Sequence, residues 1–353
     1  MISRENNFDL IRLFASLAVV IAHTMEHLSI SSLPYLRWLA YFQGVLMFFT
    51  ISGFLITASY DRNKNLRQYL KNRILRIFPA LWVSFFLLLS VLFYFQIVSL
   101  SDFGNVKFIA WIVGQLSVFQ FYTPDMLRDF GVGAPNGSLW TIPVEFVFYL
   151  ILPLIFVIFR KRLRTGMLIC AVLSVAFNFL LYKYGPEGTI TKLLWVTVFP
   201  YLYNFMIGSL LYIYWDKVRK YIEGKFLIYL SVYLIYCIGL NEYPDFYIAS
   251  GFTLLTNVML GLVTISFAYT LPHMGRVLMG YDISYGVYIY HMIVVNVYVQ
   301  CGFMNDPVYL LQVVAITVLL GIMSWVLVER KALALKYKTF AKPDWIEKLL
   351  VKI

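Results

Sequence analysis

Apolar runs of about 20 residues recur from Phe8 almost to the C-terminus, separated only by short charged clusters. A bilayer core asks for roughly 20 consecutive apolar residues per helix, so the repetition constrains the chain to an all-α integral membrane protein. Composition agrees: of 353 residues 61% are hydrophobic and only 13% charged, well away from the usage of soluble domains. No water-soluble stretch of useful size is left over, and the whole chain, 1–353, reads as a single transmembrane domain.

Reading apolar runs bounded by charge gives about ten spans, near 8–28, 38–59, 78–98, 139–159, 165–183, 193–215, 226–241, 249–271, 280–303 and 308–328. The segment 103–123 is apolar too, but Asn105, Lys107, Gln115 and Gln120 make it an interfacial or re-entrant piece within a long loop. The first run lacks an A-x-A-like exit and carries Arg12, His23, Glu26 and His27, so it reads as a helix rather than a cleaved leader. Cys170, Cys237 and Cys301 stand singly with no C-x-x-C pair and are expected to be small buried packing residues. Basic residues set the orientation, because cytoplasmic loops are enriched in Lys and Arg. With the N-terminus inside, 24 fall on the inner side and 5 on the outer. Both termini are therefore expected in the cytoplasm, and the net charge of +11 needs no nucleic acid to explain it.

An ionisable residue within the membrane costs about 2.5–3.5 kcal/mol on insertion scales, which makes each one a candidate functional group. Arg12, His23, Glu26 and His27 lie in the first span, Glu145 in the fourth and His291 in the ninth. Eleven residues separate Arg12 from His23, within about 20° of a whole number of turns and roughly 16 Å along the axis. Such a pair suits an elongated ligand with its anionic end at the cytoplasmic mouth; equally, Arg12 obeys the positive-inside rule and His23 bonds a neighbouring carbonyl. HTMEH, 23–27, also has the form of an inverted zincin motif. A zinc site needs a third ligand and a water-filled cleft, and only His273 and His291 remain among the histidines, so no metal is expected.

Arg73 and Arg76 share a helical face in the basic stretch 60–77. Their forks are suited to phosphate, though basic loops are also common beside anionic lipid. Pro79 then opens the third span. Ser52 and Gly53 in ISGFLI allow a close approach or a kink, and tight helix packing would explain them as well. Glu145, one turn below Thr141 and near Trp140, should face a polar interior, either paired with an arginine or orienting a histidine.

Taken together these pieces resemble the acyltransferase-3 family of bacterial membrane acyltransferases that O-acetylate cell-surface sugars. The family's R-x10-H is matched by Arg12 and His23, its FF-x-x-SGFLI by FFTISGFLI at 48–56, its R-x-x-R before proline by RILRIFP at 73–79, and its W-S/T-x-x-x-E by Trp140, Thr141 and Glu145. SYGVYIYH, 284–291, is similar to an aromatic run ending in histidine. The resemblance implies transfer of an acyl group, usually acetyl, from cytoplasmic acyl-coenzyme A to a hydroxyl of a cell-surface or lipid-linked carbohydrate. It makes His23 the catalytic histidine, as general base or transient acyl carrier, and gives Glu145 a supporting catalytic role. Acetyl-coenzyme A as donor would be held by Arg12, Arg73 and Arg76, with Ser52 and Gly53 beside them, and Trp140, Thr141 and His291 would touch the acceptor. It also implies a multi-pass protein of the bacterial inner membrane, with lipid as its surroundings.

Many such proteins carry an SGNH hydrolase-like domain after the last span. Here about 25 residues follow it, so none is expected, and Glu329, followed by Arg330 and Lys331, is given no role beyond capping the span. The long outer segment 99–138 is the expected acceptor contact. The competing class is a transporter or flippase of a small anionic metabolite or lipid-linked sugar, which would predict two related halves; no internal repeat is visible.

Overall fold

A computed structural model describes residues 6–271, 274, 277, 278 and 280–337. Arg4, His273, Arg276 and the basic residues from Lys338 onward lie outside the described residues. Among the described residues, thirteen α-helices of 7 residues or more carry the architecture: α1 Phe8–His27, α2 Gly44–Arg62, α3 Leu66–Tyr94, α4 Val106–Leu116, α5 Thr141–Ile158, α6 Leu163–Tyr184, α7 Thr189–Trp195, α8 Leu202–Ile213, α9 Trp215–Ile222, α10 Phe226–Leu240, α11 Gly251–Ala268, α12 Ser284–Gln300 and α13 Pro307–Ser324. Among the described residues, seven helical segments are long and apolar enough to cross a membrane, or eight if α9 and α10, bent by 79° at their junction, make one crossing.

The shortfall against ten spans has local causes. The expected span 193–215 is split between α7 and the 12-residue α8, with Pro200 in the break. Carbonyls freed there are satisfied across the bundle, Phe199 by Ser174 Oγ at 2.6 Å and Pro200 by Asn178 Nδ2 at 3.0 Å, as a broken helix in hydrocarbon requires. The expected span 280–303 is helical only from Ser284, over 17 residues.

Two other boundaries moved. Residues 66–77, expected as loop, are the first turns of α3, and Pro79 sits inside that helix instead of opening it. Helix α13 runs on through a π-helical turn, Trp325–Glu329, into Arg330–Ala334; such turns are frequent at functional sites. Segment 103–123 holds the short helix α4 and does not reach spanning length. Of the cysteines, Cys237 is buried, Cys170 half-buried and Cys301 exposed at the end of α12, so the buried expectation fails for the last.

Helix α2 forms the axis of the bundle, packing against α8, α1 and α11. Its crossing with α8 depends on two glycines: a Cβ on Gly53 would stand 2.0 Å from the Phe205 carbonyl oxygen, and one on Gly208 2.0 Å from that of Thr50. Small residues at such contacts let backbones approach where lipid offers no hydrophobic drive for association. On the other side α1 packs along α12, and α12 along α13.

The basic turns gather at one end of the bundle. Asn7 Nδ2 donates to the Thr270 carbonyl at 2.8 Å, and Thr270 Oγ1 accepts from the Phe226 amide at 3.3 Å. Tyr212 donates to Asp61 at 3.1 Å, and Arg164 lies 4.8 Å over the ring of Tyr214. Arg62, Arg73, Arg12 and Lys336 meet around one cavity at that same end.

Candidate active site

Two cavities divide the interior beside α1. The first, of about 450 Å³, lies where α1, α2, α3, α5 and the start of α12 converge. Asp9, Arg12, Arg62, Arg73, Arg76, Glu145, Asp282 and Lys336 all reach its wall. Its cations are not equivalent. Arg76 Nη2 is 2.6 Å from Asp282 Oδ2 and Nη1 is 3.4 Å from Glu329 Oε2, while Arg12 Nη1 is 3.2 Å from the same Asp282 oxygen and 3.4 Å from Asp9. Asp282 also accepts from Ser284 Oγ at 2.5 Å, and Glu329 from Ser324 Oγ at 2.9 Å. These groups form a nearly closed network, as buried charge must.

Arg73, one turn earlier on α3, has no such acid among the described residues. Its guanidinium sits over the rings of Tyr69 and Tyr149, at 5.9 and 5.7 Å, and its buried Nε has no hydrogen-bond partner among the described residues. Beside it Lys336 is half-buried; burial first, then the charges of Arg73, Arg76 and Arg12, hold its ammonium below the usual lysine range. Positive charge is left over at this spot, and an anion with several oxygens would satisfy it.

The second cavity, of about 500 Å³, opens at the other end of α1. His23, Gln43, Trp140, Tyr243, Asp245 and Phe246 shape it, with Arg37 at its edge. Aromatic faces dominate: the Trp140 ring meets those of Tyr201 and Phe246 at 5.3 and 5.5 Å, and Tyr41 stacks on Tyr243 at 4.8 Å. Val45 and Tyr288 line both cavities, so they form the partition. The Tyr288 hydroxyl is held 3.0 Å from Thr141 Oγ1 and donates to the Ser138 carbonyl at 3.0 Å.

The structure brings some of the expected residues together and separates others. Arg12 and His23 share the inner face of α1 but serve different cavities. Glu145 does not reach His23. Its Oε1 accepts from Ser52 Oγ at 2.8 Å and from the Tyr149 hydroxyl, on the wall of the first cavity, because α5 presents that turn to α2 and α3. The orienting role foreseen for it is therefore corrected, since the group against His23 is His291, with Nε2 2.9 Å from His23 Nδ1. His291 is fully buried, so its expected contact with acceptor is corrected as well.

Ser52 lines the first cavity; Gly53 faces α8, and its expected place beside the donor gives way to the packing reading. Trp140 lines the second cavity and Thr141 the first. Segment 99–138 borders a smaller recess of about 150 Å³ next to Trp140, and the second cavity is walled instead by residues 36–45 and 243–246. The His23 and His27 rings are 5.7 Å apart, and among the described residues no three His, Cys, Asp or Glu side chains are grouped to hold a metal ion.

Three participants escaped the sequence reading. Asp282 precedes α12 by two residues, Glu329 is buried in the π turn rather than capping a span, and Tyr288 belongs to a run of tyrosines with no local mark of its own. An acidic residue flanking an apolar run was the one available signal, and it looked interfacial.

Residues 5–329 match the family described as an acyltransferase domain. Nodulation protein 10 of Rhizobium leguminosarum bv. viciae is 32% identical over 96% of this chain and 96% of its own length. An O-acetyl transferase of Shigella phage Sf6 is 28% identical over 94% of this chain and 96% of its own. The peptidoglycan O-acetyltransferase OatA of Listeria monocytogenes is 22% identical over 71% of this chain and 44% of its own. No solved structure matches. With nearly its whole length matched, the chain belongs to the acyltransferase-3 family of membrane acyltransferases.

Proposed function

We propose that the protein moves an acyl group, acetyl in the first instance, from acyl-coenzyme A to a hydroxyl of a cell-surface or lipid-linked carbohydrate. The observation that carries this reading is the pair of unlike cavities sharing Val45 and Tyr288: one with surplus cation at Arg73 and Lys336, the other aromatic with His23 on its wall. The phosphates of the donor suit the first, bound at Arg73 and Lys336, and its pantetheine arm would pass Tyr288 to bring the thioester to His23. Flat aromatic faces with Gln43 and Asp245 suit a sugar ring in the second. The names of the Shigella phage and Listeria relatives favour O-acetyl transfer.

In this reaction the imidazole of His23 takes the proton of the acceptor hydroxyl as its oxygen bonds to the thioester carbonyl carbon. The C–S bond then breaks, and the departing thiolate takes that proton from the imidazolium. General-base help of this kind contributes about 10²–10⁴-fold. For the topology we propose ten crossings of a bacterial inner membrane with both termini in the cytoplasm. Support comes from the 24 to 5 distribution of basic residues and from the basic turns sharing the end where the first cavity opens.

The test uses purified protein in liposomes with radiolabelled acetyl-coenzyme A and a chelator. Wild type should consume the thioester, His23→Ala should bind the donor without consuming it, and Arg73→Ala should bind it poorly. Absence of donor binding by wild type, or loss of turnover on chelation alone, overturns the reading.

A further inference from the structure

The hydrogen-bond chain behind His23 has one fixed end. His291 Nδ1 lies 2.6 Å from the backbone carbonyl oxygen of Tyr288. A carbonyl oxygen only accepts, so His291 Nδ1 carries the hydrogen. His291 is 0% exposed and forms no ion pair among the described residues, so an imidazolium there would lack a counter-charge. In the neutral ring Nε2 is then the bare nitrogen and must accept. The group facing it at 2.9 Å is His23 Nδ1. That nitrogen is thus the donor, and the hydrogen of neutral His23 sits on Nδ1. The ring planes differ by 22° and the centroids stand 5.2 Å apart, a separation that sets the two nitrogens edge to edge between them, along the line of their lone pair and hydrogen.

We propose that His291, locked by the Tyr288 carbonyl, is a positioning residue that holds His23 in its Nδ1–H form and leaves Nε2 as the base. The inference rests on the reading of His23 as the reacting group. A free histidine in water favours hydrogen on Nε2, so an unassisted His23 would mostly present the wrong edge. When Nε2 takes the hydroxyl proton, Nδ1–H stays where it is and its bond to His291 strengthens, because the donor is now cationic. The Tyr288 carbonyl cannot take a proton, so the chain ends there and the proton on Nε2 remains available to the leaving thiolate. Tyr288 also stands in the partition between the cavities, so the backbone that fixes the tautomer belongs to the residue that bounds the donor's passage.

The experiment is 15N-histidine spectroscopy of the full chain in detergent micelles or nanodiscs. Four histidines are present, so single substitutions assign the signals. In wild type His23 should show a protonated Nδ1 and a bare Nε2. His291→Gln, whose carbonyl accepts from Nδ1, should keep that form, and His291→Leu should lose it. In acetyl transfer His291→Leu should lower kcat on the order of 10²-fold, the low end of general-base help, with KM for acetyl-coenzyme A unchanged and most of the rate recovered in His291→Gln. Hydrogen on Nε2 of wild-type His23, or a kcat for His291→Leu within about twofold of wild type, overturns the proposal. If wild type does not turn over the donor at all, the functional reading falls, while the wild-type spectrum still judges the tautomer.

Discussion

The cavity around Arg73 and the cavity around His23 lie on one helix face yet are built on opposite plans. In the first, cations outnumber the acids that reach them, and two of its arginines are engaged by Asp282 and Glu329 while Arg73 keeps a buried, unpartnered Nε. In the second, charge is sparse, and the histidine on its wall is tied into a neutral chain that ends on a backbone carbonyl. Binding a polyanion and activating a hydroxyl need different electrostatics: leftover positive charge for one, an uncharged base for the other. Phosphate-binding arginines beside the imidazole would disfavour its cation during turnover. In the proposed reaction their separation along α1, with Tyr288 between, would resolve that conflict.

The largest effect should come from the neutral side. His23→Ala removes the base and should lower acyl transfer by about 10²–10⁴-fold, with the dissociation constant for coenzyme A unmoved in calorimetry. An equal loss of donor affinity would mean that the cavities act as one site and would break the comparison.

Next comes the paired network of the basic side. Arg76→Ala leaves the 2%-exposed Glu329 without its cation and Asp282 with Arg12 alone. Breaking a buried pair from one side costs about 3–5 kcal/mol, so this variant should lose thermal stability in detergent, and adding Glu329→Gln should recover part of it. Arg73→Ala should do the reverse: little change in melting, and a donor affinity weakened by about 1.5–3 kcal/mol, the worth of hydrogen bonds to a charged group. Equal destabilisation by both substitutions would erase the distinction between an arginine that holds the fold and one kept for ligand.

How much of this the sequence could tell follows from what spacing encodes. Helix periodicity put Arg12 and His23 on one face and Arg73 beside Arg76, since those relations lie within single helices. It could not say which neighbour each face meets. Glu145 was the candidate to orient a histidine and His291 a candidate acceptor contact, and which of them meets His23 depended on the rotation of α5 and α12 about their axes, which only packing against α2 and α1 decides. Asp282 and Glu329 lie 206 and 253 residues from Arg76, a pairing that no local pattern announces. The boundary of α3 was missed because a run of arginines and polar residues looks like loop, although Leu, Arg, Gln and Lys are good helix formers. The breaks around Pro200 and before Ser284 were hidden in apolar composition that reads as a continuous span.

The smallest predicted effect tests whether the surplus charge is real. Burial and three neighbouring arginines depress the ammonium of Lys336 below its ordinary value of 10.5. A lysine lowered on folding favours the neutral form in the native state, so its charged form opposes folding below the folded pKa. That penalty fades as pH rises through the folded value toward the unfolded one. Lys336→Gln should therefore raise stability of the ligand-free protein near neutral pH, by no more than about 1 kcal/mol for a half-buried group, and the gain should vanish in alkaline solution. With saturating coenzyme A the sign should invert, because the phosphates supply the missing counter-charge and wild type then melts higher than the variant. A difference between the two proteins that ignored both pH and donor would mean that Lys336 is an ordinary surface lysine, and the surplus at the first cavity would reduce to Arg73 alone.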